Sequence, residues 1–125
     1  MVLLSGNEAL ARGAIEAGVR FAASYPGSPT VEILATLAGL ADRFGHYAEW
    51  SINEIVALEA VAGASYAGLR AMASMKPDGF NVALDFATSL AYAGTKAGLV
   101  IVVGDDPGGH SGVKEEDCRA LVKAA

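Results

Sequence analysis

Residues 98–104, GLVIVVG, decide how the rest of the chain is read. Between two glycines stand Leu99, Val100, Ile101, Val102 and Val103, with no polar residue among them. An unbroken, mostly β-branched run of this length fits a strand covered on both faces, as strands of parallel sheets are. Parallel strands are joined by crossovers, so helices are expected on either side of it.

Working outward confirms that alternation. Residues 78–94 (DGFNVALDFATSLAYAG) read as a helix and residues 69–75 (LRAMASM) as a strand. Residues 52–68 (INEIVALEAVAGASYAG) are a helix apolar around most of its circumference, expected to be largely buried. HYAEW (46–50) is a short strand, and residues 30–44 (TVEILATLAGLADRF) are a helix. That helix follows the turn GSPT (27–30), with Ser28 as the expected N-cap and Pro29 at the first helical position. RFAASYP (20–26) is a strand ending at Pro26. Residues 5–19 form the first helix, with Ser5 and Glu8 at capping-box spacing and Gly18 as a stop. After the GLVIVVG strand comes a loop, DDPGGHSG (105–112), and residues 114–125 (KEEDCRALVKAA) begin a last helix.

The order α-β-α-β-α-β-α-β-α implies one α/β domain, a three-layer sandwich with a parallel sheet between helix layers. The last helix carries no stop signal after Lys123, so the sheet is expected to continue beyond this piece. At 125 residues and 53% hydrophobic, the chain can bury a core. A net charge of −5 without a basic stripe argues against nucleic acid as a partner. The single cysteine, Cys118, excludes an internal disulfide or a thiolate-bound iron–sulfur cluster within these residues. The apolar region 82–103 is broken by Asp85 and Lys96 and is not read as a membrane span. MVLLSG has no basic segment and too short an apolar run for a signal peptide, so a cytoplasmic setting is expected.

Open parallel sheets bind ligands outside the carboxyl ends of their strands. The loops expected there are 25–30, 49–54, 75–81 and 104–113, each rich in Gly, Pro or polar residues. No GxGxxG, GxxxxGK[ST] or GxSxG motif is present, and His46 and His110 have no ligand-spaced partner. Ser28 and the free N–H groups of a helix start could bind a carboxylate. The loop 105–112 places two acids, His110 and Ser111 on the rim, where His110 could donate a proton or hydrogen-bond a substrate. Glu54 stands three residues after Ser51, which is capping-box spacing. From spacing alone it is either a helix cap or the acid on which chemistry turns, with Glu49 and Glu59 as competing carboxylates.

Four stretches carry a resemblance: LLSGNEALARGAIEAGVRFAASYPGSPTVEI, YAEWSINEIVALEAVAGASYAGLRAMASMK, GFNVA and GLVIVVGDDPGGHSG. Together they resemble the amino-terminal, pyrimidine-binding region of indolepyruvate:ferredoxin oxidoreductase alpha subunits, within the thiamine-diphosphate-dependent 2-oxoacid:ferredoxin oxidoreductase family. The resemblance implies a cofactor-binding role for Glu54, Tyr25 and Pro26. Glu54 would be the catalytic acid that contacts a ring nitrogen of the aminopyrimidine, while Glu49 and Glu59 serve the structure. It implies that Ser28, His110 and Ser111 bind substrate. It also implies a Mg2+ ion and the diphosphate held by another domain, and iron–sulfur clusters elsewhere in the assembly. The implied partners are the diphosphate-binding domain of the same or another subunit, a beta subunit, ferredoxin, a 2-oxoacid and coenzyme A, in an oligomer. The sequence departs from that pattern in three ways. GDD (104–106) is not the GDG motif of diphosphate binding, a cysteine-rich domain is absent, and MKPDGFN is more polar at Pro77 and Asp78. These residues alone are therefore not expected to turn over substrate. The competing readings are a pyrimidine-binding subunit of a sulfopyruvate- or phosphonopyruvate-type decarboxylase, and a non-catalytic α/β binding or assembly module.

Overall fold

The computed structural model describes residues 2–110, 112 and 114–125. Nine elements follow the expected alternation: α1 (Gly6–Glu16), β1 (Phe21–Ser24), α2 (Val31–Phe44), β2 (Tyr47–Trp50), α3 (Glu54–Tyr66), β3 (Ala71–Met75), α4 (Pro77–Ala93), β4 (Leu99–Val103) and α5 (Arg119–Ala124). The four strands are all parallel, in the order β2-β1-β3-β4.

Successive strand residues face opposite helix layers. Ala22 of β1 and Met72 of β3 pack with Ala11, Ala14, Ile33, Leu34 and Leu37 of α1 and α2. Ala23, Ala71, Ala73 and Met75 face the other way, against Leu58 and Val61 of α3 and Phe80, Ala83 and Leu90 of α4. Alanine at the inner strands lets α3 lie close to the sheet, and Ala23 and Ala73 are fully buried. The chain is thus the three-layer α/β sandwich that its alternation predicts.

Local signals explain most boundaries. Ser5 Oγ accepts the Glu8 N–H, and the Glu8 carboxylate accepts the Ser5 N–H at 2.7 Å, a complete capping box. α2 ends at Gly45, whose φ of 68° is the left-handed conformation that glycine adopts freely. The Arg20 guanidinium donates to the carbonyls of Phe44 and Gly45 at that helix end.

Four boundaries or burials differ from the sequence reading. α4 starts one residue earlier than expected, with Pro77 at its first position, so only Lys76 separates it from β3. α5 starts only at Arg119, because the carboxylates of Asp105 and Asp117 accept the N–H groups of Cys118 and Arg119 and end the loop there. α3 is less buried than its composition suggests. Its inner face is buried, but Ile55, Val56 and Ala60 are half-buried and Glu59 and Gly63 are exposed. The strand read as covered on both faces, β4, lies at the sheet edge. Val100 is 54% exposed, and among the described residues no strand pairs with its outer side. One face of β4 borders a groove lined by Leu10, Gly13, Ala17, Met72, Val100 and Val102. The composition of β4 therefore suits a more covered environment than these residues supply.

Two outcomes follow from this architecture. Purified alone, the chain is expected to self-associate through the β4 edge, and Val100→Lys is expected to weaken that association. Light scattering checks both, and a clean monomer of the unsubstituted chain at high concentration contradicts them. Burial, with the nearby Asp105 carboxylate, pushes the Cys118 thiol up to about 12. Its alkylation in the folded chain should therefore be slow at pH 8 and accelerate on denaturation, as an iodoacetamide time course would show.

Candidate functional site

The carboxyl ends of the four parallel strands open onto one rim, and glycines let the loops there touch. A Cβ at Gly104 would stand 2.5 Å from Cγ2 of Thr30 and 3.0 Å from Cγ of Pro29. The loop after β4 therefore lies directly on the turn before α2. A Cβ at Gly27 would stand 3.1 Å from the Lys76 side chain, between β3 and α4. A Cβ at Gly79, in the first turn of α4, would stand 2.5 Å from Oε1 of Glu54.

Glu54 is the first residue of α3 and is 6% exposed. The cap expected at Ser51 is not formed. The N-cap is Asn53, whose Oδ1 accepts the Val56 N–H at 2.8 Å. Two cap-competent residues lie two positions apart, and the second wins because Ser51 still extends the β2 pairing through its N–H to the Ser24 carbonyl at 2.8 Å. The Ser51 hydroxyl oxygen is buried and has no hydrogen-bond partner among the described residues. Glu54 is thereby freed from capping. Its carboxylate forms no hydrogen bond with the described residues, yet it sits in the positive field of a helix start. The other two acids are placed differently. Glu49 accepts the Tyr47 hydroxyl at 2.9 Å, which raises the phenol's pKa, and Glu59 is exposed on α3.

The remaining candidates are spread along the rim. Tyr25 and Pro26 follow β1 directly and are exposed. Ser28 is exposed in the turn 28–30 and is not the N-cap of α2; that position belongs to Thr30, and Pro29 precedes the helix, after a cis peptide bond. The chain first closes a turn, with the Thr30 N–H bonded to the Gly27 carbonyl at 3.1 Å, and the helix starts after it. Thr30, missed in the sequence, is buried, and its hydroxyl donates to the Gly27 carbonyl at 3.2 Å. His110 is exposed, with its imidazole folded back over Gly108. Ser111 lies outside the described residues.

Asp106, one of the two acids expected on the rim, turns inward instead. It is buried and accepts the N–H of His110 at 3.1 Å and of Gly112 at 2.5 Å. Its neighbour Asp105 accepts the Cys118 N–H. Both acids of GDD are therefore loop organisers. Pro77 and Asp78, the polar departures, have a structural role as well. Asp78 pairs with Lys114 at 3.3 Å and Lys76 at 3.8 Å. Lys114 also pairs with Glu116 at 3.4 Å, and Glu116 accepts a hydrogen bond from the Asn81 amide. These contacts tie the loop after β4 to the start of α4. They hold the Lys114 ammonium above its ordinary pKa, its hydrogen bond to Asp78 first. No described group of three or more His, Cys, Asp or Glu could hold a metal ion. No helix among the described residues is long and apolar enough to cross a membrane.

Comparison with known proteins shows what the chain is similar to. Residues 12–113 match the family described as "Pyruvate flavodoxin/ferredoxin oxidoreductase, thiamine diP-bdg". The chain is 50% identical over 99% of its length to the indolepyruvate oxidoreductase subunit IorA of Pyrococcus abyssi, covering 19% of it. It is 52% identical to the IorA subunit of Archaeoglobus fulgidus, again over 99% of the chain and 20% of that protein. A 2-oxoglutarate:ferredoxin oxidoreductase from Magnetococcus marinus, solved with 2-oxoglutarate, coenzyme A and succinyl-CoA bound, superposes with a TM-score of 0.82 at 26% identity, over 96% of this chain and 21% of that one. The chain thus spans about a fifth of the length of these relatives.

The reassigned cap is directly testable. Asn53→Ala should destabilise the chain by about 1 kcal/mol. Ser51→Ala should cost less, because it removes a buried hydroxyl without a partner. Chemical denaturation measures both, and a larger loss at Ser51 would restore the Ser51 cap.

Proposed function

The chain belongs to the thiamine diphosphate-binding family of pyruvate flavodoxin/ferredoxin oxidoreductases, and from that premise we propose that it is the pyrimidine-binding domain of a 2-oxoacid:ferredoxin oxidoreductase acting on indolepyruvate or a related arylpyruvate. One observation carries the site assignment: Glu54 is buried at the carboxyl rim with no hydrogen-bond partner among the described residues. Neither of its oxygens is fully enclosed, so a donor on a ligand can reach the carboxylate. A protonated ring nitrogen of an aminopyrimidine is such a donor, so the residues present fit the cofactor.

When bound, thiamine diphosphate supplies the nucleophilic carbon and the electron sink for decarboxylation of a 2-oxoacid. The chain's own residues orient and exclude water. Glu54 holds a proton at the ring nitrogen, supported by the α3 helix start. Tyr25 and Pro26, which follow β1 on the same rim, are assigned to the cofactor with it. Ser28 and the loop carrying His110 are assigned to the substrate carboxylate, with Ser111 added on its sequence position alone, and the contact of Gly104 with Pro29 and Thr30 keeps those two segments adjacent.

The diphosphate and its Mg2+ are assigned to another domain, because both acids of the GDD segment are already engaged by backbone N–H groups. Iron–sulfur clusters, ferredoxin and the coenzyme A site belong elsewhere in the assembly. Exposed Tyr25, Trp50 and Ile52 on this rim suit the face that the diphosphate-binding domain covers. Identities of about one half to indolepyruvate oxidoreductase subunits favour oxidation over the simple decarboxylase reading. A cytoplasmic setting accords with ferredoxin as electron acceptor.

The test uses the full-length protein with its partner subunit, thiamine diphosphate and an electron acceptor. Glu54→Gln should lower indolepyruvate oxidation by roughly 10²-fold or more. An unchanged rate would remove Glu54 from the reaction.

A further inference from the structure

We propose that Gly79 is the positioning residue for Glu54: a bare Cα in the first turn of α4 fixes the rotamer of the carboxylate. This inference rests on the role proposed for Glu54 and extends it to a residue on another helix. The contact runs along the side chain and not only at its tip. A Cβ at Gly79 would lie 2.5 Å from Oε1, 2.6 Å from Cγ and 2.9 Å from Cδ of Glu54. Separations below 3.0 Å are not sustained by real Cβ atoms, so any other residue at position 79 displaces Glu54 or the helix.

The backbone does not require glycine here. Gly79 lies within α4 and is not among the glycines with positive φ. Alanine is the better residue in a helix. What glycine supplies at this position is space, and the Glu54 side chain fills it.

Nothing else in the described residues holds that side chain by a hydrogen bond, so packing alone sets its direction. The surface it packs on is fixed. Pro77 and Phe80 are buried on either side of Gly79, and the Phe80 N–H bonds the Lys76 carbonyl at 3.0 Å. Asp78 is held by Lys76 and Lys114. A turn anchored at Pro77, Asp78 and Phe80 acts as a rigid plate behind the carboxylate. A general acid or base must be held within hydrogen-bond reach of the atom it serves, and a displacement of about 1 Å can cost on the order of 10²-fold in rate.

The test is made in the full-length assembly with Gly79→Ala, Glu54→Gln, Glu54→Ala and the Gly79→Ala/Glu54→Ala double variant. Two quantities are read: the melting temperature without cofactor, and the rate of proton–deuterium exchange at the thiazolium carbon of bound thiamine diphosphate. Gly79→Ala should slow the exchange about tenfold or more. It should also lower the melting temperature in the Glu54 background and not in the Glu54→Ala background, since the added methyl then meets empty space. If Glu54→Gln slows exchange and Gly79→Ala leaves it within about twofold of the unsubstituted protein, the positioning role is overturned while Glu54 keeps its own. If Glu54→Gln leaves exchange unchanged, the reading of Glu54 itself falls. If Gly79→Ala does not fold, recovery in the double variant supports the contact. A double variant equally unstable overturns it.

Discussion

Close approach at the carboxyl rim is the constraint on which the geometry depends. Side chains of neighbouring segments crowd the volume that a Cβ would need at Gly27, Gly79 and Gly104. Each contact joins two different crossovers: 25–30 to Lys76, α4 to Glu54, and 104 to the turn before α2. The sheet brings its strand ends to one level, but it does not by itself make the loops touch. Removing the side chain at three points lets these crossovers approach one another.

The rest of the rim builds on that closeness. The starts of α2, α3 and α4 all lie at the carboxyl ends of β1, β2 and β3, so their positive ends gather on the same side of the sheet. Anionic groups are favoured there, whether a carboxylate of the chain or that of a 2-oxoacid. Glu54 takes one such position. Because Asn53 caps α3, the glutamate is left free of the cap. Ion pairs between Asp78, Lys114 and Glu116 then draw the loop after β4 toward the start of α4, closing the rim from its other side.

Much of the fold was legible because the signals were local and redundant. The Ser5 and Glu8 capping box formed as spacing predicts, and the unbroken aliphatic run at 99–103 is a parallel strand. The errors share a cause: competing local options that only tertiary pairing decides. Ser51 and Asn53 both suit an N-cap, and the hydrogen bond of Ser51 to β1 chose between them. Ser28 and Thr30 posed the same choice before α2. Composition reported that β4 suits cover on both faces, but it carried no information on which residues would supply it. Asp106 was read as a rim acid because sequence does not show which carboxylates turn inward to bind backbone N–H groups. Gly79 was visible only as a glycine within a helix. Its meaning depends on Glu54, 25 residues earlier, lying against it.

The role of Glu54 is most directly tested by a crystal structure of the full-length protein with thiamine diphosphate bound. The account predicts a Glu54 carboxylate oxygen within about 2.5–3.0 Å of a pyrimidine ring nitrogen, with the side chain still flush against Gly79. A cofactor ring contacted instead by Glu49 or Glu59, or a Glu54 turned away from it, would contradict that claim.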